Sequence, residues 1–147
     1  MGHQQALQPA AGDSIESLRA EISRQMVRLY KELFGRGPTK ARTDFVGDVV
    51  ISTLESSFTP AEQKLVEMGE HQRLRDTRLY FQHATEGEFR AVVEGLLGRR
   101  VRAFVSGTDT RCDVSTEVFY LEPLVDVDRL GNGASNGEHS GPPPGGP

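Results

Sequence analysis

The longest apolar pattern in the chain recurs at three- and four-residue spacing between residues 59 and 97, which predicts helix. Its start is well marked, because Thr59-Pro60-Ala61-Glu62 supplies an N-cap hydroxyl, a first-turn proline and an N3 carboxylate. Gly69 and Gly87 interrupt the pattern, so we expect a short helix that ends at Gly69 and a longer one that Gly87 weakens. The predicted stripe consists of Leu65, Met68, Leu74, Arg78, Phe81, Thr85, Phe89, Val92 and Leu96.

A second amphipathic helix is predicted nearer the start of the chain. Asp13 and Glu16 form a capping-box pattern at its beginning, and Gly35 supplies a stop after Phe34. Because its opposite face is polar, this helix is expected to lie on a sheet or to pair with another helix. The apolar stripe consists of Ile15, Leu18, Ile22, Met26, Leu29 and Leu33, widened by Tyr30 and Phe34.

The apolar period changes to two after the first helix, which predicts a β-hairpin. Its strands are expected over Lys40–Val46 and Val49–Glu55. Gly47 and Asp48 join them as a two-residue hairpin turn, with glycine where φ must be positive.

A second hairpin is predicted after the long helical region. Its strands are expected over Arg99–Ser106 and Cys112–Leu121, with the turn beginning at Gly107-Thr108-Asp109. Strict alternation in the first of these strands places Val101, Ala103 and Val105 on one face.

This order of helices and hairpins favours an α+β fold with two layers. Two units of helix, strand and strand can join into a four-stranded antiparallel sheet with the helices on one face. We expect one domain over residues 13–127, between a disordered N-terminus over residues 1–12 and a disordered Gly/Pro-rich tail over residues 128–147.

Composition narrows the classes of function. The formal net charge of -4 over 147 residues argues against nucleic-acid binding through phosphate neutralisation. A single cysteine excludes an internal disulfide, and neither a signal peptide nor a membrane-spanning apolar run is found in the sequence. We therefore expect a cytoplasmic protein with no direct membrane insertion, whose membrane contact would be peripheral, at the inner face.

Charge is unevenly distributed, with eight arginines and five acidic residues between Arg73 and Arg111. Arg78 lies on the apolar stripe, where a buried charge needs an acid, carbonyl groups or a bound anion as partner. Asp109 or Glu94 is the internal partner that the sequence offers. The functional alternative is an anion-accepting pocket near the second hairpin, formed by Arg78 with Arg99 or Arg102. The candidate binding residues are Arg75, Arg78, Arg99, Arg102 and Asp109.

Other candidate chemistry is weakly supported. The segment Gly35–Pro38 precedes a strand, whereas phosphate loops precede a helix N-terminus. His71 and His83 have no acid or thiol at metal-ligand spacing. Cys112 has no nearby histidine in the sequence to act as a base. We therefore expect no enzyme, no metal site and no cofactor.

Several short motifs follow one another between about Ser14 and Leu121. They are Gly35-Arg36-Gly37-Pro38, Phe58-Thr59-Pro60-Ala61-Glu62 with Leu65, Arg75 with Arg78, Val93-Glu94, Leu97-Gly98-Arg99-Arg100-Val101, Ser106 with Asp109, and Val118-Phe119-Tyr120-Leu121. Taken in this order, the motifs resemble the MpsC-like family, which is named after an accessory component of a sodium-translocating system that generates a membrane potential.

The resemblance implies a soluble accessory or regulatory protein whose partner is a membrane ion-translocating complex. It supplies no catalytic residues. The alternative is a stand-alone module that senses a small anion or another ligand without a membrane partner. Self-association into a homo-oligomer is also expected, through the first helix or the sheet edges.

Overall fold

The computed structural model describes residues 11–124 and forms one sheet with four helices in that range. The predicted disordered segments lie outside the described residues, except that residues 11 and 12 begin the first helix. The elements are α1 (Ala11–Phe34), β1 (Lys40–Val46), β2 (Val49–Glu55), α2 (Pro60–Glu67), α3 (His71–Ala84), α4 (Glu86–Leu97), β3 (Val101–Asp109) and β4 (Val114–Leu121).

The sheet has the strand order β1-β2-β4-β3, and all neighbouring strands are antiparallel. The two hairpins meet where β2 pairs with β4, from Val49 opposite Tyr120 to Glu55 opposite Val114. α1, α3 and α4 pack on one face of this sheet. The predicted two-layer α+β fold is confirmed.

The core lies between the helices and that inner face of the sheet. Aromatic rings connect the layers, because Phe104 lies 5.7 Å from Phe89 on α4 and 5.1 Å from Phe119 on β4 between ring centroids. Burying these rings removes apolar surface from water and stabilises the packing of the two layers. The buried apolar cluster consists of Ile22, Met26, Leu29, Tyr30, Val50, Leu54, Phe89, Val93, Val101, Phe119 and Leu121.

The first helix and hairpin follow the prediction closely. α1 begins at Ala11, so Asp13 lies inside the helix and not at its N-cap as predicted. The strand bounds and the turn of the first hairpin agree with the prediction. Gly47 has a φ of +57°, which is why glycine suits this turn.

The long helical region is divided into three helices and not two. The predicted capping box is present at the start of α2, where Glu62 N donates to Thr59 Oγ1 over 3.2 Å. Gly69 follows α2 with a φ of +75°, as expected of a helix end. The second break is at Thr85 and not at Gly87, because the backbone of Thr85 leaves the helical conformation, with φ of −107° and ψ of +10°. Gly87 lies in the first turn of α4.

Only part of the apolar stripe predicted for this region is buried in the structure. Met68 and Phe81 are exposed, and the buried positions of α3 are Leu74, Arg78 and Gln82. These three positions are spaced by four residues, so one narrow face of α3 meets the sheet.

The second hairpin differs from the prediction in the bounds of its first strand and in which side chains share a face of the sheet. β3 begins at Val101 and continues through Asp109, so the predicted turn at residues 107–109 is part of the strand and the turn occupies residues 110–113. A register shift between Val101 and Ala103 marks a β-bulge. Val101 is consequently buried while Val105 is 54% exposed on the other face. The prediction of a shared face was wrong because a bulge breaks simple alternation.

Candidate functional site: a buried polar network

The inner face of the sheet is polar along one row that crosses all four strands. Thr43 on β1 pairs with Ser52 on β2, Ser52 pairs with Glu117 on β4, and Glu117 pairs with Ser106 on β3. We call these four residues the polar rung. Thr43 Oγ1 lies 2.9 Å from Ser52 Oγ and also 2.9 Å from Ser23 Oγ on α1. Hydroxyl pairs of this kind satisfy polar groups inside a core.

Glu117 is the centre of the network and is fully buried. Tyr30 Oη on α1 donates to Glu117 Oε1 over 2.6 Å, and Gln82 Nε2 on α3 donates to the same oxygen over 2.6 Å. Gln82 Nε2 also lies 3.1 Å from Tyr30 Oη, to which it donates. One carboxyl group therefore ties two helices to the centre of the sheet.

Burial raises the pKa of Glu117 to about 7, although the hydrogen bonds from Tyr30 and Gln82 act to lower it. Burial, and next the charge on Glu117, raise the pKa of Tyr30 well above its ordinary value. Tyr30 therefore keeps its proton and remains a donor.

Three oxygen atoms of this cluster are buried and have no hydrogen-bond partner among the described residues: Glu117 Oε2, Gln82 Oε1 and Ser106 Oγ. A carboxylate has no proton to donate, whereas a protonated carboxyl group has one. The enclosure therefore suits the neutral form of Glu117 better than the charged form.

Arg78 forms the second part of the network and is also fully buried. Its Nε and Nη2 donate to the two carboxylate oxygens of Glu62 over 2.6 and 2.7 Å. Its Nη1 donates to Ser57 Oγ, and Nη2 to Ser57 O, both over 3.1 Å. The guanidinium carbon lies 3.8 Å from the ring centroid of Phe34. This paired, stacked geometry is one that arginine can adopt and lysine cannot.

Glu62 has a double role, in the capping box of α2 and in the pair with Arg78. Burial acts to raise the pKa of Glu62, but the hydrogen bonds from Arg78 and Thr59 outweigh it, so the pKa is lowered. The predicted internal partners of Arg78, Asp109 and Glu94, were wrong. The actual partner lies on the preceding helix, because the turn at Gly69 brings α2 back against α3.

The remaining predicted binding residues lie apart from Arg78. Arg75 donates to Gln72 Oε1 on the same helix over 3.0 Å. Arg102 lies over the Tyr120 ring at 5.5 Å from its centroid. Asp109 accepts from the amides of the turn that follows β3.

Arg99 is held at the opposite end of the sheet from Arg78. It donates to Asp48 Oδ1 over 2.8 Å and to Glu122 O over 2.6 Å. Asp48 precedes β2 and Ser57, the partner of Arg78, follows it, so a strand length of roughly 20 Å separates the two arginines. The structure does not bring Arg78, Arg99 and Arg102 together into one pocket.

Asp113 is a further polar residue that the sequence reasoning missed. Its carboxylate accepts from the amides of Ser57 and Phe58 over 3.0 Å each, and its own φ is +54°. It therefore holds the chain that leads from β2 into α2, and with it the side chain of Ser57 beside Arg78. Aspartate tolerates this left-handed conformation better than most residues.

Among the described residues, the side chains of His71, His83 and Cys112 form no metal centre. His71 Nδ1 lies 2.7 Å from Thr110 Oγ1, and Cys112 is exposed in the turn between β3 and β4. Within residues 11–124, no group of three or more His, Cys, Asp or Glu side chains is placed to hold a metal ion. In the same range, none of the helices combines the length and the apolar character needed to cross a membrane.

A model of the family described as "Na+-translocating membrane potential-generating system (MpsC)" matches residues 14–123. The chain belongs to the MpsC family. The resemblance inferred from the short motifs is thereby confirmed. The MpsC match contains Arg78, Glu62 and Glu117 with all of their hydrogen-bond partners.

Two proteins of Bacillus subtilis (strain 168) are similar to this MpsC chain, and both are named as uncharacterized. YbcI is 26% identical over 106 residues, which cover 71% of this chain and 86% of YbcI. YrhF is 26% identical over 106 residues, which cover 67% of this chain and 83% of YrhF. No solved structure gives a significant match.

Proposed function

We propose that this chain is a non-catalytic accessory or regulatory protein of a sodium-translocating system that generates a membrane potential. The observation that carries the proposal is the match to the MpsC family over residues 14–123, whose description names such a system. In this proposal other polypeptides form the ion pathway, and this chain binds to them at the inner face of the membrane.

The non-catalytic part of the proposal is supported by where the reactive groups lie. Glu117 and Arg78 are the two fully buried charged side chains among the described residues, and both have internal partners. Groups that do chemistry on a substrate need access to it. We therefore assign these two residues to holding the helices on the sheet and not to a reaction.

The alternative is a stand-alone sensor of small anions, with Arg78 at the centre of its binding site. Arg78 is already paired within the protein. Every nitrogen of the Arg78 guanidinium donates to Glu62 or Ser57, so an anion would have to displace the Glu62 carboxylate. Such a sensor predicts a rise in Tm on addition of phosphate or sulfate. An accessory protein predicts no such rise.

The proposal is tested by recovering the partner from membranes. The tagged chain is expressed in its own host, cells are crosslinked, membranes are solubilised in detergent, and proteins bound to the tag are identified by mass spectrometry. We expect polytopic membrane proteins to be enriched over a tag-only control. Loss of membrane potential in a deletion strain, measured with a potential-sensitive dye and restored by the wild-type chain, is the matching functional readout.

Two results would contradict this function. One is recovery of the chain with no membrane protein enriched after crosslinking. The other is an unchanged membrane potential in the deletion strain under sodium stress.

A further inference from the structure

The sheet face opposite the helices carries an apolar band across all four strands. Following the strand register, the first row of the band is Val46, Val49, Tyr120 and Ala103, and the second row is Ile51, Val118 and Val105. Val46 is 61% exposed and Val105 is 54% exposed, one on each edge strand. We call these seven residues the outer band.

The outer band is unusual for the solvent face of a two-layer fold. The helices that contact the sheet pack on its inner face, where Val50, Phe104 and Phe119 point. An antiparallel sheet with one open face normally alternates between apolar inward and polar outward residues. Here the outward positions of both central strands, β2 and β4, are Val, Ile, Val and Tyr along two adjacent rows. Val46 and Val105 are exposed and the other five residues are half-buried. Contiguous apolar surface that is open to solvent marks an interaction site.

Charges at the two edges of the same face indicate which partner would cover the outer band. Lys40 on β1 and Asp109 on β3 are the two ends of a single row, which runs through Glu55 and Val114. Along the second row of the outer band, Asp44 on β1 and Val105 on β3 occupy the corresponding ends. The face is therefore basic and acidic at opposite corners of one row. Two further arginines lie on it: Arg42 is paired with Asp44 on β1, and Arg102 lies over the Tyr120 ring.

A twofold axis parallel to the strands makes this face complementary to itself. Two sheets packed face to face lie about 10 Å apart with their strands roughly aligned. Rotation about that axis places β1 of one copy over β3 of the other, row by row. Lys40 then faces Asp109 of the second copy, Ile51 faces Val118 of the second copy, and Asp44 faces Val105 of the second copy. Each contact occurs twice, as a closed dimer requires.

We propose that the outer band is a self-association surface through which two copies of this chain pack face to face in this orientation. The surface differs from the first helix and the sheet edges that the sequence suggested. It does not depend on which membrane system the chain serves.

The test uses charge at Val105, which is exposed and lies outside the core. Two substitutions there, Val105→Glu and Val105→Lys, are each made together with Arg42→Gln, because Arg42 Nε donates to Asp44 Oδ2 over 2.9 Å and its charge would otherwise compensate that carboxylate. In the proposed orientation, Val105→Glu then faces Asp44 of the second copy and repels it, whereas Val105→Lys faces the same carboxylate and attracts it. Relative to the chain with Arg42→Gln alone, we expect Val105→Glu to weaken association by on the order of 100-fold or more, and Val105→Lys to keep it within about tenfold. Met68→Glu, at an exposed apolar position just after α2 and away from the band, is the matched control and keeps the dimer.

The measurement is sedimentation velocity or light scattering of the full chain over a concentration series, with circular dichroism to show that each variant is folded. Wild type is expected to be dimeric above about 10 µM. A wild-type chain that stays monomeric throughout the series would overturn the proposal. Equal loss of the dimer in both Val105 variants would also overturn the proposal, because it would indicate that β3 faces β3 of the second copy. A dimer whose association neither variant changes would overturn it as well.

Discussion

Arg78 and Glu117 are both inaccessible to solvent, yet their charges have different surroundings. Arg78 faces the carboxylate of Glu62, which compensates its charge directly. Glu117 receives hydrogen bonds from neutral groups, Tyr30 and Gln82. Burial raises the pKa of Glu117 more than these hydrogen bonds and the charge on Arg78 lower it, so Glu117 binds a proton near neutral pH.

This protonation makes stability depend on pH in a direction that is uncommon for a glutamate. The pKa of Glu117 is raised from 4.5 to about 7 on folding, so the folded state holds a proton that the unfolded state has released. Stability is therefore expected to fall as pH rises from about 4.5 to about 7 and then to level off, by about 3 kcal/mol in total. Urea unfolding at a series of pH values measures this.

The variant Glu117→Gln isolates that contribution. A glutamine at this position keeps the oxygen that accepts from Tyr30 and Gln82 and has no proton to lose. We expect it to match wild type near pH 4.5 and to exceed it by about 3 kcal/mol at pH 8. Glu122→Gln, which removes an exposed carboxyl group just after β4, is the matched control measured over the same pH series. A pH-independent difference for Glu117→Gln would refute the assignment.

Removing Arg78 should destabilise the fold far more than removing its neighbour Arg75. Arg78→Ala leaves Glu62 as a partly buried carboxylate without its counter-charge, for which a loss of about 3–5 kcal/mol in the free energy of unfolding is expected. Arg75→Ala removes one hydrogen bond to Gln72 on the same helix and should stay within about 0.5 kcal/mol of wild type. Chemical denaturation of the two variants in parallel decides this. Equal effects would mean that the pair with Glu62 is not what holds α3.

The sequence showed that Arg78 needs a partner but not which partner. Its position on an apolar stripe is local information, whereas the choice of Glu62 depends on how α2 folds back at Gly69. Glu117 was missed for a related reason. It shares a face of β4 with Phe119 and Leu121, which is a readable signal of burial, but Ser115 on the same face made that face look polar.

At the scale of elements, two glycines three residues apart in the last helix illustrate opposite uses of the same residue. Gly98 ends α4 with a φ of +63°, where a side chain is strained. Gly95 lies inside α4, and a Cβ added there would meet nothing within 4 Å.

Alanine at these two positions is expected to change stability in opposite directions. Gly95→Ala should raise the free energy of unfolding by about 0.5–1 kcal/mol, because alanine loses less backbone entropy in a helix. Gly98→Ala should lower it by about 1–2 kcal/mol, because it forces a left-handed conformation on alanine. Thermal and urea unfolding of both variants provide the measurement. A shift in the same direction for both would contradict the helix end at Gly98.

Element boundaries were predictable where a side chain or a turn type fixes them locally. The Thr59 capping box and the Gly47 turn are such cases, and both are confirmed. The bulge after Val101 depends on pairing with β4, so alternation alone could not locate it. The break at Thr85 has neither a glycine nor a side-chain cap bond to mark it, so the sequence offered no signal there.

At the scale of the whole molecule, the layer arrangement followed from the order of helical and alternating segments. The order of segments did not predict a shared binding site, because the five predicted binding residues are distributed over α3, both ends of the sheet and its outer face. The polar rung exists only because β2 pairs with β4 in one register. A shift of that pairing by one residue would turn Glu117 toward solvent.

The pairing of β2 with β4 also has a consequence during synthesis. Val49 must find Tyr120, and Glu55 must find Val114, after three helices and a further strand have been made. While the ribosome extends the chain through those residues, the inner edge of β2 offers free backbone groups to any passing strand. The nearest source of such a strand is another copy of the chain being made on the same messenger RNA. Once the final hairpin has been translated, β4 can pair with this edge of β2 and its backbone groups are no longer free.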